Sequence, residues 1–254
     1  MDANDQLDES GYIVLPDAFD REFLDELNHR IDEVFAAEGA EAGAEFKQEP
    51  GCRRLANLVN KGEVFARAVS HPTTLKFVGQ VLGDFKLSSL NVRSVDPRSD
   101  VRQPLHADMG AIPDESGFWV CNVLWMLQDI TLDNGPLRVV PGTHKSHQLP
   151  QSALVDPAAD HPDQVLVTGS AGTIVVMNAH LWHGGNENRS DTPRRAMHAF
   201  YCRRDKPQQQ YQKSLLDGMV QSALTPELRN LLALDDPEND RISSSVEVTS
   251  GFMK

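Results

Sequence analysis

The sequence predicts a mainly β fold, a sandwich or jelly roll, buttressed on one face by helices from the N-terminal third. From Lys86 onward, short runs rich in Val, Leu and Ile alternate with clusters of Gly, Pro, Asn, Asp and Ser, the rhythm of antiparallel strands and turns. Before Lys86, apolar residues recur at helical spacing instead. The composition adds a third observation. A chain of 254 residues with 40% hydrophobic and 24% charged side chains suits one globular domain with a sizeable core. We expect that domain over 1–254, with a mainly helical buttress over 11–83, a β core over 86–204 and a polar tail or lid over 205–254.

In order, GYIVLP (residues 11–16) reads as a short strand. Asp20 then caps a helix whose Leu24, Leu27, Ile31, Val34 and Phe35 fall on one face. Residues 39–50, rich in Gly, Ala and Glu, read as a loop. Two helices follow over 63–69 and 73–82, the second entered at Pro72 and closed by Gly83. Strands are expected at 87–95, 103–108, 118–127, 137–140, 164–168, 173–177, 181–183 and 196–202, separated by turn segments such as VDPRSD, LDNGP and NENRSDTP. A last helix is expected over 225–234, with Thr225 as cap and Pro226 in its first turn.

The net charge of −13 excludes nucleic acid and anionic membranes as partners, because phosphate binding needs clustered Lys and Arg. No apolar run is long enough for a membrane span. The acidic start MDANDQLDES lacks the features of a secretory signal. Cys52, Cys121 and Cys202 are an odd set without paired spacing, as in reduced, packed thiols. Together these features lead us to expect a cytoplasmic protein.

No dinucleotide-binding glycine fingerprint, Walker loop, nucleophile elbow or zincin motif is present. Histidine and carboxylate remain. His106-Ala107-Asp108, on an expected strand, would point both polar side chains to one face. A second His would complete the two-His, one-carboxylate set of non-haem iron. Alone, the spacing is weak in a chain this rich in Asp, and a structural His–Asp pair explains it as well. The competitor His161-Pro162-Asp163 reads as a solvated turn. His180 and His183 would face opposite sides of a strand, so only one could aim inward. His144 and His147 read as structural or surface residues, and His198, in the last strand, stays open between a core histidine, the favoured reading, and a ligand. His29, on an expected helix, and His71, before Pro72, are given no ligand role.

QPLHAD (103–108), DNGPLRVVPGTHK (133–145) and LWHGGNENRSDTPRRA (181–196), in that order, resemble the phytanoyl-CoA dioxygenase family, as does the opening GYIVLPDAFDREFLDEL. The resemblance runs from about Gly11 to Arg204. It implies a double-stranded β-helix (jelly roll, cupin-like) and an Fe(II)- and 2-oxoglutarate-dependent oxygenase that consumes O2. It implies His106, Asp108 and His183 as the metal ligands, which relegates His180 to the opposite face. It also implies Arg194, eleven positions beyond His183, as the partner of the far carboxylate of 2-oxoglutarate, a role that suits the planar fork of Arg. Arg195 would point away. The carboxylate that halogenases of related design give up is retained as Asp108.

The chain departs from the commonest pattern in two places. Ala107 stands where many members have Gln, and Gly185 where some have Ser. Ser89, Asn91, Arg93 and Asn122 are the candidates to replace those polar contacts, against the alternative of ordinary outward polar residues. The family spans acyl-CoA hydroxylases and natural-product tailoring enzymes that hydroxylate, desaturate or cyclise, including enzymes acting on sugar antibiotics. The charge of −13 disfavours a CoA ester, so a tailoring step on a small, sugar-containing or other natural product is the expectation. An acyl-CoA hydroxylase is the first alternative, and a cupin-like metal-binding isomerase or hydrolase the second. A lid is expected from residues 39–50, 109–117 and the tail. Trp119 and Trp125 are either a stacking wall or core.

Overall fold

The structure, a computed structural model, describes residues 2–245. Its first third holds α1 (Ala3–Ser10), β1 (Tyr12–Leu15), α2 (Arg21–Glu38), β2 (Cys52–Leu55), α3 (Glu63–Val69) and α4 (Pro72–Leu82). Then come β3 (Phe85–Val95), β4 (Val120–Met126), β5 (Leu137–Val140), α5 (Pro150–Ala153), β6 (Val165–Val167), β7 (Ile174–Asn178), β8 (Trp182–Gly185) and β9 (Arg194–Arg203). The short helices α6 (Gln212–Leu215), α7 (Gly218–Ala223), α8 (Pro226–Leu231) and α9 (Pro237–Ser243) end the described chain. Residues 246–254 of the expected tail lie outside the described residues.

A six-stranded antiparallel sheet, ordered β1-β7-β4-β9-β3-β2, faces a three-stranded sheet, β6-β5-β8. The two do not close into a barrel. The central strands of the large sheet are buried on both faces, which is why VCNVLWM lacks simple polar alternation. Cys121, Val123 and Trp125 of β4, with Met197, Ala199 and Tyr201 of β9, pack against Leu27 and Ile31 of α2, Phe65 of α3 and Val78 of α4. The alternate residues Leu124, Met126, Val175 and Met177 turn toward the small sheet and meet Val139 and Leu181. Cavity and buttress thus share one sheet, read at odd and even positions.

The helix caps are as expected at Asp20, whose carboxylate accepts from the Phe23 N–H, and at Thr225, whose hydroxyl accepts from Leu228 N–H. Four elements differ from the sequence expectation. The polar opening forms α1, capped by Asp2 and anchored by Leu7, its one buried residue. Gly11, at φ 81, ends it where a Cβ would stand 2.5 Å from the buried ring of His144. The loop expected over 39–50 runs into β2, whose two arginines hid the strand. The expected strand 103–108 is extended chain with one bridge, His106 to His183, because Pro104 has no N–H to donate to a ladder. The tail is sewn in rather than free. At the β3 bulge between Leu87 and Ser89, Gln208 donates to the Leu87 carbonyl (2.8 Å) and the Gln210 N–H to that of Ser88 (3.0 Å). Among the described residues, no helix is long and apolar enough to cross a membrane.

Candidate metal centre

A pair of backbone hydrogen bonds fixes the two site histidines before their side chains are considered. His106 N–H donates to the His183 carbonyl (2.9 Å) and His183 N–H to the His106 carbonyl (3.0 Å). This docks the loop after Gln103 onto β8. Asp108 is held by its own N–H on the Ala179 carbonyl (2.9 Å). The chain then turns at Met109, a non-glycine residue at φ 58.

The three side chains converge. Asp108 Oδ1 lies 3.7 Å from His106 Nε2 and 3.6 Å from His183 Nε2. The possible ligand atoms of all three residues lie within 4.8 Å of one another. Each ring turns Nδ1 to the carbonyl two residues back, His106 to Pro104 (2.9 Å) and His183 to Leu181 (2.7 Å). With Nδ1 as the donor, the Nε2 lone pairs face one another and Asp108, as metal-binding imidazoles require. Asn122 Nδ2 donates to Asp108 Oδ2 (3.0 Å), leaving Oδ1 toward the rings. Burial alone would raise the Asp108 carboxyl. The facing His183 and His106 outweigh it and hold the group well below its ordinary value. Two imidazole nitrogens and a carboxylate oxygen form a donor set that fits Fe(II).

The triad sits where two chambers meet. An inner one of about 260 Å³ runs between the sheets past Leu124, Val175 and Met177 to Arg194. An outer one of about 590 Å³ opens past Phe46, Met109, Leu149 and Phe200. Arg194, at the start of β9, is buried, and its Nε has no hydrogen-bond partner. No carboxylate among the described residues pairs with it. Burial, reinforced by the charge of Arg93, pushes its guanidinium down to about 10, so it stays cationic at neutral pH. Arg195 points the other way, to Asp32 and over the Phe35 ring.

The other expected residues are distributed unevenly. Asn122 reaches Asp108, as described. Arg93 lines both chambers but is ion-paired to Glu49. Asn91 accepts from Arg54 Nη1 (3.2 Å) and donates to Ser89 Oγ, so its amide is engaged on the outer side only. Ser89 donates to Gln209 and lines neither chamber. His180 is buried against Phe118 and Trp119, with Nδ1 on Asn178 Oδ1 (2.8 Å). Trp125 packs with Phe19, Phe23 and His71 in the helix-side core. Trp119 donates to the Ile112 carbonyl. Neither tryptophan lines a chamber. Of the expected lid segments, 39–50 contributes most, with Phe46, Lys47, Glu49 and Pro50. Among the described residues, the tail reaches the outer chamber only at Gln209, and the 109–117 loop at Met109 and Gly110.

Beyond Glu49 and Arg54, which line the chambers, two more residues escaped the sequence reading. His198, expected in the core, lines both chambers, and its Nε2 has no partner. Burial and the charges of Arg93 and Arg194 hold it neutral. Its position four residues after Arg194, on the same face of β9, was the available signal. Arg138, fully buried, donates to the carbonyls of Gln103 (2.8 Å), Pro157 (3.1 Å) and Ala159 (2.9 Å), clamping the chain that leads into His106. No sequence pattern announced that role.

Comparison with known proteins agrees with this architecture. The dioxygenase af480 of Aspergillus fumigatus is 26% identical over 241 residues, 92% of this chain and 76% of that protein. The crystal structure of EctD from S. alaskensis with bound Fe superposes with a TM-score of 0.67 at 22% identity, over 80% of this chain and 77% of that one. The epimerase SnoN, solved with Fe3+, alpha ketoglutarate and nogalamycin RO, gives a TM-score of 0.62 at 19% identity, over 80% and 82%. At these identities the two structures show a common fold, the cupin-like double-stranded β-helix. The sequence pattern of the phytanoyl-CoA dioxygenase (PhyH) family matches residues 7–196, well over half of the chain, and the protein therefore belongs to that family of dioxygenases.

Proposed function

We propose that the protein is an Fe(II)- and 2-oxoglutarate-dependent oxygenase that oxidises a C–H bond of a small organic substrate in a natural-product tailoring step, by hydroxylation or oxidative cyclisation. The observation that carries this reading is one cavity with the His106–Asp108–His183 cluster at its junction and an unpaired, buried Arg194 at its inner end. A metal-dependent isomerase or hydrolase has no need of that arginine. A tailoring role is supported by the relationship to SnoN, whose solved complex holds nogalamycin RO, and by a surface charge of −13 that is ill suited to a CoA ester.

His106 and His183 present Nε2 to the metal because their Nδ1–H groups are held by backbone carbonyls. Asp108 supplies the anionic ligand, oriented by Asn122. Arg194 pairs with the far carboxylate of 2-oxoglutarate, and the apolar walls at Leu124, Val175 and Met177 keep water from that ion pair. When bound, iron, 2-oxoglutarate and O2 supply the oxidising power, the co-substrate ending as succinate and CO2. The protein supplies position and dryness.

The test is anaerobic addition of Fe(II) and 2-oxoglutarate, read as the visible metal-to-ligand charge-transfer band. The band forms in the wild type and is lost in Asp108→Ala. Absence in the wild type, or survival in the variant, overturns the reading.

A further inference from the structure

Two arginines beside the outer chamber, the second of which lines the inner chamber as well, are held by a single carboxylate of this chain. Arg54 on β2 and Arg93 on β3 are direct cross-strand partners. Both run ion pairs to the same oxygen, Glu49 Oε2, at 2.9 Å from Arg54 Nη2 and closer still from Arg93 Nη2. Arg54 is 4% exposed, lies over the Phe46 ring, and keeps a buried Nε with no partner. Two guanidiniums on neighbouring strands repel each other, and one shared carboxylate oxygen is a poor match for two planar forks.

The charges point the same way. With a divalent cation and the dianion 2-oxoglutarate in place, Asp108 and Arg194 bring the inner site to neutrality. Arg54 and Arg93 against Glu49 then leave one positive charge uncompensated beside the outer chamber. Glu49 comes from the loop 39–50, three residues before β2 begins at Cys52, at a tight turn closed by Gly51. The loop lines both chambers.

We propose that Arg54 and Arg93 form the recognition site for a carboxylate on the substrate, and that Glu49 is an internal stand-in which that carboxylate displaces. The substrate is then a compact organic acid. Its carboxylate lies between β2 and β3 and its apolar body against Phe46, Met109, Leu149 and Phe200. This rests on the oxygenase reading for what is done to the substrate, but not for the anion site itself.

The experiment titrates benzoate and its uncharged counterpart benzamide calorimetrically into the full chain loaded anaerobically with Fe(II) and 2-oxoglutarate, and in parallel into the metal-free chain. Glu49→Gln, which frees the pair, binds benzoate about tenfold or more tighter than the wild type, the gain of one charge-assisted contact, and leaves benzamide unchanged. Glu49→Asp, one methylene shorter, shifts in the same direction by less, and covers the case in which Glu49→Gln does not fold. Adding Arg54→Met to either variant removes the gain. Equal binding of benzoate and benzamide, no gain on changing Glu49, or a gain that survives Arg54→Met overturns the assignment. The charge-transfer band is read on the same samples. A band without an anion gain sinks this inference alone. No band in the wild type sinks the oxygenase reading and leaves the metal-free titration to decide the arginine pair.

Discussion

Asp108 must be ionised, immobile and aimed, and each demand is met by a different neighbour. The two imidazoles keep it charged, the Ala179 carbonyl holds its backbone, and Asn122 occupies Oδ2. Asn122→Leu removes only the last of these. We expect Fe(II) to bind about 10- to 100-fold more weakly, the usual cost of losing such a supporting contact, with the fold intact; titration with circular dichroism as control checks both parts. Arg194→Met should separate differently. Fe(II) affinity holds while the dissociation constant for 2-oxoglutarate rises at least about tenfold, since a charge-assisted pair is lost from a buried site; competition titration against the charge-transfer band reads it. His180, just before β8, is buried against Phe118 and Trp119 and lies outside the His106–Asp108–His183 cluster. Burial pushes its ring down to about 3, whereas the unfolded chain titrates at about 6.5. Between those values the unfolded state binds a proton that the folded state refuses, so stability falls as pH falls, by up to about 1.4 kcal/mol per pH unit from this group. Above that window the group contributes nothing. Urea unfolding of wild type and His180→Gln at pH 7 and pH 5 should show the wild type losing more on acidification.

Among the elements, those with regular periodicity were legible and those held by non-local contacts were not. The helices α2, α3 and α4 and most strands of both sheets follow directly from apolar spacing and caps. β2 lies in a stretch between residues 50 and 63 for which no element was expected, since its two arginines break the apolar pattern, although Arg54 is buried. The extended chain through His106 was expected as a strand, yet its role survives the difference. One bridge to His183, with Arg138 clamping Gln103, aims His106 as well as a ladder would. Within the candidate site, the triad and Arg194 were named through the resemblance to the family rather than through any one spacing, and the structure brings the three ligand candidates together and places Arg194 in the same cavity. Glu49 and Arg54 carry no such signal, and only the pairing of β2 with β3 brings them beside the cavity, whereas His198 had its place four residues after Arg194 on β9. The tail was hardest to read, since a run of glutamines looks solvated. Gln208 is instead fully buried, donating to the Leu87 and Leu232 carbonyls and accepting from Asn239. Gln208→Leu strands these groups without water. It should cost about 3 kcal/mol, measured as a lower urea midpoint with an unchanged m-value.

At the scale of the whole molecule, the net charge of −13 and the chemistry of the pocket oppose each other. The co-substrate is a dianion and, on the inference above, the substrate is an anion as well. Both must approach a negative surface before they meet Arg194, Arg93 or Arg54. The long-range field and the short-range contacts therefore respond differently to salt. Screening acts on charges separated by more than about 10 Å at 0.1 M ionic strength, which covers the approach but not the ion pair formed within the sheets around Arg194. Raising the ionic strength should weaken the repulsion on approach and leave the docked contact nearly untouched. The association rate constant for 2-oxoglutarate is thus expected to rise with salt, by about two- to threefold between 0.05 and 0.5 M for a repulsion of well under 1 kcal/mol, while the dissociation rate changes little. Anaerobic stopped-flow mixing of the Fe(II)-loaded protein with 2-oxoglutarate, followed at the charge-transfer band, separates the two constants. An association rate that falls with salt would mean that the arginines govern the field outside the cavity as well as within it, and the surface charge would then have no part in selecting what enters.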